Sequence, residues 1–254
     1  MSYIAPSQMI RSKKKRADDL LVEKGIAKDH KEAAALVLSG TLWIGQQRIE
    51  KAGTLLDPFS NIKIRSKRDK FVSRGGVKLE AALRHFQIDV NNRICLDLGA
   101  STGGFSDCLL QHGAAKVYAF DVGRGLLDWK LRQDSRVVVR ESTNVRYLTA
   151  SMVEDPVDLV TIDLAFISLR LILPQVKKIF SSCVLALVKP QFEAHRQEVG
   201  ERGIIRSVQL QREIVKRVRD FAVQKGFMVL GETPSPILGQ KGNREYFLYL
   251  SCAD

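Results

Sequence analysis

The sequence predicts an α/β fold in which seven strands form a doubly wound, mostly parallel sheet behind a small α+β domain. From residue 94 onward, short apolar strands alternate with helical stretches, which is typical of a parallel sheet covered on both faces. Near the end of the chain, only Gly231 to Glu245 separates the last two strands, and this is too short for a helical crossover. We therefore expect the last strand to run antiparallel to its neighbours.

The segment before this sheet predicts two short helices and a few short strands. The first helix spans 16–24 and ends at Gly25, a residue that commonly terminates helices. Asp29 occupies an N-cap position, with a glutamate three residues later, so it starts a second helix at 32–38. Short strands between 41 and 64 complete a unit that suits an appended binding module.

The chain is therefore predicted to have an N-terminal domain at 1–64, a charged linker at 65–73 and a larger domain at 74–254. The larger domain opens with a helix at 76–86, where apolar residues recur at helical spacing. Its strands are predicted at 94–98, 116–121, 137–140, 159–163, 184–188, 227–230 and 246–250, with further helices at 103–112, 168–180 and 207–225.

The composition is that of a globular protein with an unusual charge. Forty Lys and Arg against 28 Asp and Glu give a net charge of +12 in 254 residues, which indicates a polyanionic partner, either nucleic acid or an anionic membrane. No run of about 20 apolar residues is present, so no stable membrane insertion is expected. The four cysteines are scattered, which favours reduced, packed thiols in a cytoplasmic protein and no metal site.

The strongest local pattern is a glycine-rich turn that follows the strand at 94–98. Open α/β sheets bind their ligands at such a turn, and Asp121, 22 residues after Gly99, ends the second strand where an acid receives ribose hydroxyls. The turn has the spacing G-x-x-x-G-G after Asp97, whereas a dinucleotide site usually shows G-x-G-x-x-G. This favours a cofactor with ribose and adenine but no pyrophosphate, namely S-adenosyl-L-methionine, and Asn144 is placed to contact the adenine.

The predicted fold class is thus a Rossmann-like S-adenosylmethionine-dependent methyltransferase. The simpler alternative is that the glycines only turn the chain. The predicted cofactor-binding residues are Asp97, Gly99, Ala100, Ser101, Thr102, Gly103, Gly104, Phe105, Asp121, Val122, Asn144 and Asp163.

Several blocks of sequence resemble one family. On these blocks the chain is identified as a member of the TlyA family, also called haemolysin A, which joins a ribosomal-protein-S-four-like RNA-binding domain to an FtsJ-like methyltransferase domain. The resemblance implies S-adenosylmethionine-dependent methylation of the ribose 2′-hydroxyl of cytidine, with ribosomal RNA or ribosomal subunits as partners. The blocks are Val72–Glu80, Leu96–Phe105, Val117–Gly123, Phe166–Leu169, Leu187–Glu193, Ser235–Ile237 and Gly242-Asn243.

The resemblance also places the family's Lys-Asp-Lys-Glu tetrad on Lys78, Asp163, Lys189 and Glu245. Lys189 would take the proton of the ribose hydroxyl, with Lys78 as a second cation and the two carboxylates orienting the amines. Each of the four residues also has an ordinary structural explanation; Lys78, for example, could simply be an exposed lysine on a helix. Lys189 fits such an explanation least well, because a charge at the end of an apolar strand has few structural uses.

The early part of the chain carries more than half of the positive surplus, since residues 1–70 hold 15 Lys and Arg but 8 Asp and Glu. We expect these cations to bind RNA phosphates without reading sequence, although a solvated tail would have the same composition. The predicted RNA contacts are Arg11, Lys13, Lys14, Lys15, Arg16, Lys31, Arg48 and Arg74.

Other chemistries and functions predict other residues. Methylation of an exocyclic amine favours a polar-Pro-Pro-aromatic run where this chain has Asp163-Leu-Ala-Phe, and methylation of a pyrimidine carbon needs a cysteine at the ligand edge. A membrane-active haemolysin would need an amphipathic or spanning element. A non-catalytic RNA-binding protein would leave the four charged residues without a purpose.

Overall fold

The computed structural model describes residues 13–38, 40–45, 47–64, 70–239 and 241–252. The chain forms two compact units, residues 1–69 and residues 70–254. Residues 70–73, predicted as the end of the linker, belong to the second unit. Phe71 is buried in its core, and the Val72 N–H donates to Asp107 Oδ2 at 2.8 Å.

The N-terminal unit has two short helices and short antiparallel strand pairs around a small apolar core. Asp29 caps the second helix, because its Oδ1 accepts from the Glu32 N–H at 2.7 Å. The Glu32 carboxylate reaches back to the Lys28 N–H at 2.8 Å, and the helix begins at His30, two residues earlier than predicted. The elements are β1 (Lys15–Arg16), α1 (Ala17–Glu23), α2 (His30–Leu38), β2 (Leu42–Ile44), β3 (Gln47–Arg48), β4 (Leu55–Leu56) and β5 (Ile62–Ile64).

The second unit is built on a seven-stranded sheet, so the predicted fold class is confirmed. From one edge to the other its strands are β11 (Met228–Pro234), β12 (Tyr246–Ser251), β10 (Cys183–Val188), β9 (Leu159–Ile162), β6 (Ile94–Leu98), β7 (Lys116–Phe120) and β8 (Val137–Arg140).

The last strand, β12, is antiparallel to both of its neighbours, as its short connection predicted. Its first residue, Tyr246, therefore pairs with Val188, the last residue of β10, and with Pro234, the last residue of β11. This reversal brings the residues just before β12 to the carboxyl edge of the parallel strands, where α/β sheets bind ligands.

Helices cover both faces of the sheet, which is why the central strands are buried along nearly their whole length. The helix predicted at 168–180 is divided into a short 3₁₀ turn at Leu169–Leu171 and a helix that starts at Leu173, because Pro174 fits only the first turn of a helix. The helices are α3 (Gly75–His85), α4 (Gly104–Gln111), α5 (Trp129–Arg132), α6 (Leu173–Ile179), α7 (Pro190–Glu193) and α8 (Val208–Gln224).

Close backbone packing fixes α3 against α4. A Cβ added to Gly104 would lie 2.9 Å from the backbone nitrogen of Gly76, and one added to Gly76 would overlap the buried ring of Phe71. Only glycines allow the two helix starts to approach this closely. The contact joins the glycine-rich turn, which leads into α4, to the helix that carries Lys78.

Candidate functional site

The four residues of the predicted tetrad form two lysine–carboxylate pairs. Lys78 Nζ lies 2.6 Å from Glu245 Oε2, and the two residues are only 8% and 3% exposed. Lys189 Nζ lies 2.6 Å from Asp163 Oδ1, and this pair is slightly more accessible. The structure therefore brings together residues that are up to 167 positions apart in the chain.

The two pairs lie at the ends of adjoining strands. Asp163 follows β9 and Lys189 follows β10, while Glu245 immediately precedes Tyr246, the register partner of Val188. Neighbouring strands in a sheet are about 4.8 Å apart. The sheet thus sets three of the four charged residues in one row along its carboxyl edge, and α3 supplies the fourth.

The segment before Glu245 is held by buried polar contacts. Asn243 is buried, its Oδ1 accepts from the Ile205 N–H at 3.0 Å and its Nδ2 donates to the Gly203 carbonyl at 2.8 Å. A Cβ added to Gly239 would come within 2.5 Å of Glu245 Oε1. These contacts leave the Glu245 carboxylate little freedom other than to face Lys78.

Glu193, which the sequence reasoning did not select, ties the segments after β9 and β10 together. It is 4% exposed, and its carboxylate accepts from Ser168 Oγ at 2.5 Å and from the Leu169 N–H at 2.7 Å. Burial raises the pKa of Glu193, and these two hydrogen bonds oppose that change. Its place at the end of the resembling block Leu187–Glu193, four residues after Lys189, was the signal in the sequence that pointed to it.

An exposed aromatic pair stands on the same two segments. Phe166 is 85% exposed and has a positive φ of 63°, which is unusual for a residue with a side chain. Its ring contacts that of Phe192, with centroids 5.0 Å apart. A bulky apolar residue held in such a conformation is a candidate functional residue. Phe166 opens one of the resembling blocks, but the sequence did not indicate its exposure or its positive φ.

The glycine-rich turn lies directly against the Asp163 end of β9. Gly99 has φ +93°, and a Cβ there would be 2.5 Å from the Asp163 carbonyl oxygen, so no other residue fits. Within the turn, Ser101 is exposed, and Gly99 and Thr102 are partly exposed. The remaining predicted cofactor residues of the turn are buried: Ala100, Gly103, Gly104 and Phe105.

Asp97 was predicted to bind the cofactor, but the structure gives its side chain no exposed surface. Oδ2 accepts from Ser106 Oγ at 2.7 Å and Oδ1 accepts from Thr161 Oγ1 at 3.1 Å. Burial raises the pKa of Asp97 to about 7, although the two hydroxyl donors work in the opposite direction. Asp97 therefore supports the strand behind the turn, because its position in β6 directs it into the interior.

Asp121 directly follows β7, and its carboxylate contacts the exposed part of the glycine-rich turn. Its Oδ2 accepts from the Ser101 N–H at 2.8 Å and its Oδ1 accepts from the Gly123 N–H at 2.7 Å. Each carboxylate oxygen has a second lone pair that can receive a ribose hydroxyl. The neighbouring Val122 is exposed, and Asn144 is an exposed residue that accepts from the Arg146 N–H at 3.1 Å.

The predicted RNA contacts are distributed over both units. Lys15 pairs with Glu23 and Arg16 with Asp18, each at 2.6 Å, so part of their charge is neutralised within the N-terminal unit. Arg74 is exposed in the second unit, directly before α3. Of the predicted contacts in the N-terminal unit, Lys15 is half-buried and Arg11 lies outside the described residues, while the exposed ones are Lys13, Lys14, Arg16, Lys31 and Arg48.

Three further observations bear on the alternatives. Burial raises the pKa of the Cys95 thiol to about 12 and also raises that of Cys108, which disfavours a cysteine nucleophile. Across the ranges that the structure describes, no three His, Cys, Asp or Glu side chains are grouped to hold a metal ion. Within the same ranges, no helix combines the length and apolarity of a membrane span.

The sheet order, the reversed last strand and the ligand-binding edge define this unit as a Rossmann-like methyltransferase. Residues 71–252 match the FtsJ-like methyltransferase family. The chain belongs to that family and, within it, to the group of proteins called TlyA or hemolysin A. Methyltransferases of this class take their methyl group from S-adenosyl-L-methionine, and the open turn with Asp121 beside it fits that cofactor.

Relatives with these names cover nearly the whole chain. The 16S/23S rRNA (cytidine-2′-O)-methyltransferase TlyA of Mycobacterium tuberculosis is 42% identical over 94% of this chain and 90% of its own length. Hemolysin A of Brachyspira hyodysenteriae is 39% identical over 92% of this chain and 98% of its own. A solved structure described as a hemolysin from Streptococcus thermophilus superimposes with a TM-score of 0.73 at 41% identity, covering 95% of this chain and 90% of that one.

The buried Asp97 predicts a pH effect on stability. The folded state holds its proton more tightly than the unfolded state, so the unfolding free energy loses up to about 4 kcal/mol from this group as pH rises from 4 to 7. Asp97→Asn removes that titration, and an amide can still accept one hydroxyl hydrogen bond. We expect the variant's stability relative to the wild type to rise between pH 4 and pH 7 and then level off, as measured by urea unfolding.

A control with the opposite sign is available in Glu141. Burial acts to raise its pKa, but the N–H groups of residues 125–127 and the Arg132 guanidinium hold it at about 2. Glu141→Gln should lose stability relative to the wild type as pH rises from 2 to 5. If the Asp97→Asn difference did not change with pH, the proton on Asp97 would have no part in folding.

Asp121 is predicted to bind the cofactor ribose. Asp121→Ala should weaken S-adenosyl-L-methionine binding by about 1–3 kcal/mol, the range for a hydrogen bond to a charged group. Calorimetry on the full chain measures this directly. Asp89→Ala is the matched control, since Asp89 is an exposed carboxylate that likewise accepts a backbone N–H, from Asn91 at 2.9 Å. Equal affinity in the two variants would remove Asp121 from the cofactor site.

Proposed function

We propose that this protein transfers a methyl group from S-adenosyl-L-methionine to the ribose 2′-hydroxyl of a cytidine in ribosomal RNA. The observation that carries the proposal is the pair of lysine–carboxylate contacts at adjoining strand ends, next to the glycine-rich turn. A ribose hydroxyl is a weak nucleophile, so the site must remove its proton and fix its direction of attack. The two pairs supply fixed amines for these tasks.

The glycine-rich turn and Asp121 hold the cofactor at the carboxyl edge of β6 and β7. When bound there, the cofactor supplies an electrophilic methyl group on a sulfonium sulfur. Asp121 receives the ribose hydroxyls, and the exposed Ser101 lies beside it. Because Gly99 packs on the Asp163 carbonyl, the turn and the Lys189–Asp163 pair keep a fixed separation.

Lys189 is the residue that takes the proton. Its amine is held by Asp163 on the accessible side of the row, whereas Lys78 is enclosed with Glu245. Once Nζ of Lys189 has given a proton to solvent, it accepts the hydroxyl proton while the 2′-oxygen takes the methyl group that the bound cofactor would supply, which would leave the sulfur as a neutral thioether. The Lys78 cation stabilises the negative charge that develops on the attacking oxygen.

Phe166 contributes a stacking surface for a nucleobase. Its ring is exposed on the segment that follows Asp163, and Phe192 of α7 packs against it. Stacking of a base on an aromatic side chain contributes about 1–3 kcal/mol. Sequence-specific recognition of RNA commonly uses unpaired bases stacked in this way, so the exposed ring supports RNA as the substrate.

The relatives' names and the charge of the chain support ribosomal RNA as the partner. The Mycobacterium tuberculosis relative is named for cytidine 2′-O-methylation of 16S and 23S rRNA, and the present chain has a net charge of +12. We assign the N-terminal unit to RNA binding through its exposed cations, including Lys31 and Arg48. A cytoplasmic location follows from this substrate and stays a prediction.

The role of Lys189 is tested by two substitutions. Lys189→Ala should abolish methyl transfer while cofactor binding survives. Lys189→Arg should fail as well, because a guanidinium does not release its proton in proteins. Loss of a general base lowers the rate by about 10²–10⁴-fold. Single-turnover transfer of labelled methyl to purified ribosomal subunits measures the rate, and nucleoside digestion locates the label.

Lys178→Arg is the control, because Lys178 is an exposed lysine on α6 and is expected to leave the rate unchanged. Substantial turnover by Lys189→Arg would leave a 2′-O-methyltransferase with another base. Label on a nucleobase would overturn the proposed reaction itself.

The N-terminal unit is tested by removing residues 1–69. The remaining unit contains its own two apolar cores, so cofactor affinity should be retained. Affinity for ribosomal subunits should fall, and its dependence on salt should become less steep by about 0.7–0.9 log–log units for each phosphate that the shortened chain no longer binds. Full methylation of subunits by the shortened chain would show that the unit is dispensable.

A further inference from the structure

A groove lined by cations lies on the methyltransferase unit, separate from the tetrad. It has a volume of about 460 Å³ and runs between α8 and the edge strand β11. Four basic residues line it, with one carboxylate among its walls. The lining residues are Arg212, Lys216, Arg219, Glu232, Pro234, Arg244 and Tyr246.

The basic residues of α8 share one face of the helix. Arg212, Lys216 and Arg219 follow one another at spacings of four and three residues, which places them side by side over roughly 10 Å of helix. The opposite face is buried against the sheet through Ile214 and Val218. The row of cations is therefore fixed in direction and faces the groove.

Much of this positive charge is not neutralised. In the described ranges, no carboxylate lies within ion-pair distance of Arg212 or Arg244, and both are exposed. Arg219 lies at the long distances of 3.8 Å from Glu232 and 3.7 Å from Asp220, and Asp220 also pairs with Lys216 at 2.6 Å, so these two carboxylates face four cations. The groove therefore presents a net positive charge to an incoming partner.

The groove opens at the edge that carries the tetrad. Arg244 immediately precedes Glu245, and Tyr246 is the register partner of both Val188 and Pro234. Lys189 directly follows Val188, so the groove begins one strand away from the amine that takes the proton. A chain whose hydroxyl lies at Lys189 can continue over Arg244 and along α8.

We propose that this groove binds the phosphate backbone of the ribosomal RNA strand that adjoins the modified nucleotide. The inference rests on the proposed function for the identity of the RNA. Guanidinium groups match phosphate oxygens with two parallel hydrogen bonds. A protein partner would need a buried aromatic or aliphatic anchor, but Tyr246 is buried in the groove wall and Pro234 is the only apolar residue of the lining that is exposed.

The groove holds the RNA without reading its sequence, because it binds phosphates. Phe166 has a different role in this proposal, because its ring stacks on a nucleobase rather than binding phosphate. The N-terminal unit and the groove then act as two phosphate-binding surfaces, and the groove leads to the edge that carries the tetrad.

The test replaces the three cations of α8 with glutamine: Arg212→Gln, Lys216→Gln and Arg219→Gln in one full-length chain. The matched control replaces three exposed cations that do not line the groove with glutamine, so that its net charge changes as much as that of the groove variant. These cations are Arg84, Lys178 and Lys225. Arg244→Gln alone is a second variant. Binding to protein-free ribosomal RNA and to intact ribosomal subunits is measured by titration at several salt concentrations.

The groove variant should bind protein-free RNA at least about 10-fold more weakly, and its log–log salt slope should fall by about 2, or 0.7 for each phosphate that is no longer bound. The control should keep the wild-type slope to within about 1. Cofactor affinity should equal that of the wild type in all variants, and the slope of Arg244→Gln should fall by about 0.7, as expected for one phosphate.

Equal binding by the groove variant and the control would overturn the proposal. A loss confined to intact subunits, with normal binding to protein-free RNA, would also overturn it and assign the groove to a ribosomal protein. Because binding needs no methyl transfer, the proposed function is judged separately. If the wild type methylates no ribose but the salt slope of RNA binding still depends on the groove cations, the proposal for the groove is supported and the proposed methylation reaction is refuted.

Discussion

The buried contact between Lys78 and Glu245 is the interaction on which the geometry of the site depends. Two charges in such an enclosed place are tolerated only together, and removing one partner of a buried pair typically destabilises a protein by about 3–5 kcal/mol. The pair joins α3, which precedes the first strand of the sheet in the chain, to the segment just before β12, the last strand in the chain. The other end of the row, at Lys189 and Asp163, can therefore stay more accessible without losing its position.

The carboxylates near the site have different roles because their surroundings differ. Asp97 is enclosed, and burial raises its pKa to about 7, so it serves the packing of β6 against β9. Asp121 lies at the surface of the turn and has acceptor capacity left for a ligand. Glu193 fixes the segment that carries Phe166 to the segment that carries Phe192. Similar side chains at one sheet edge thus orient, bind or support according to their exposure.

Positive charge is organised at two levels. The N-terminal unit carries scattered exposed cations, which suit a sequence-independent contact with a long polyanion. The cations of α8 and Arg244 are instead ordered along one groove that leads to the reacting edge. An enzyme that modifies RNA needs both sets of cations, because affinity for a large RNA does not by itself place one ribose hydroxyl against Lys189.

The fold and most of the site were predictable from the sequence, because their signals are local or periodic. Strand–helix alternation indicated the parallel sheet, the short segment before residue 246 indicated the reversed last strand, and the resemblance identified Lys78, Asp163, Lys189 and Glu245. Glycines mark sites of close backbone approach, so Gly99 and Gly104 were visible as well. Each of these features can be predicted from a short stretch of sequence, without knowing how the rest of the chain folds.

The tertiary structure alone decided which residues are buried and which distant residues meet. It placed Asp97 in the interior, exposed Phe166 and joined Glu193 to Ser168, although nothing in their spacing indicated this. The groove likewise needs Arg212 from α8 and Arg244 from the segment before β12. Burial and charge pairing arise from segments far apart in the chain, and a one-dimensional pattern does not record which segments will pack together.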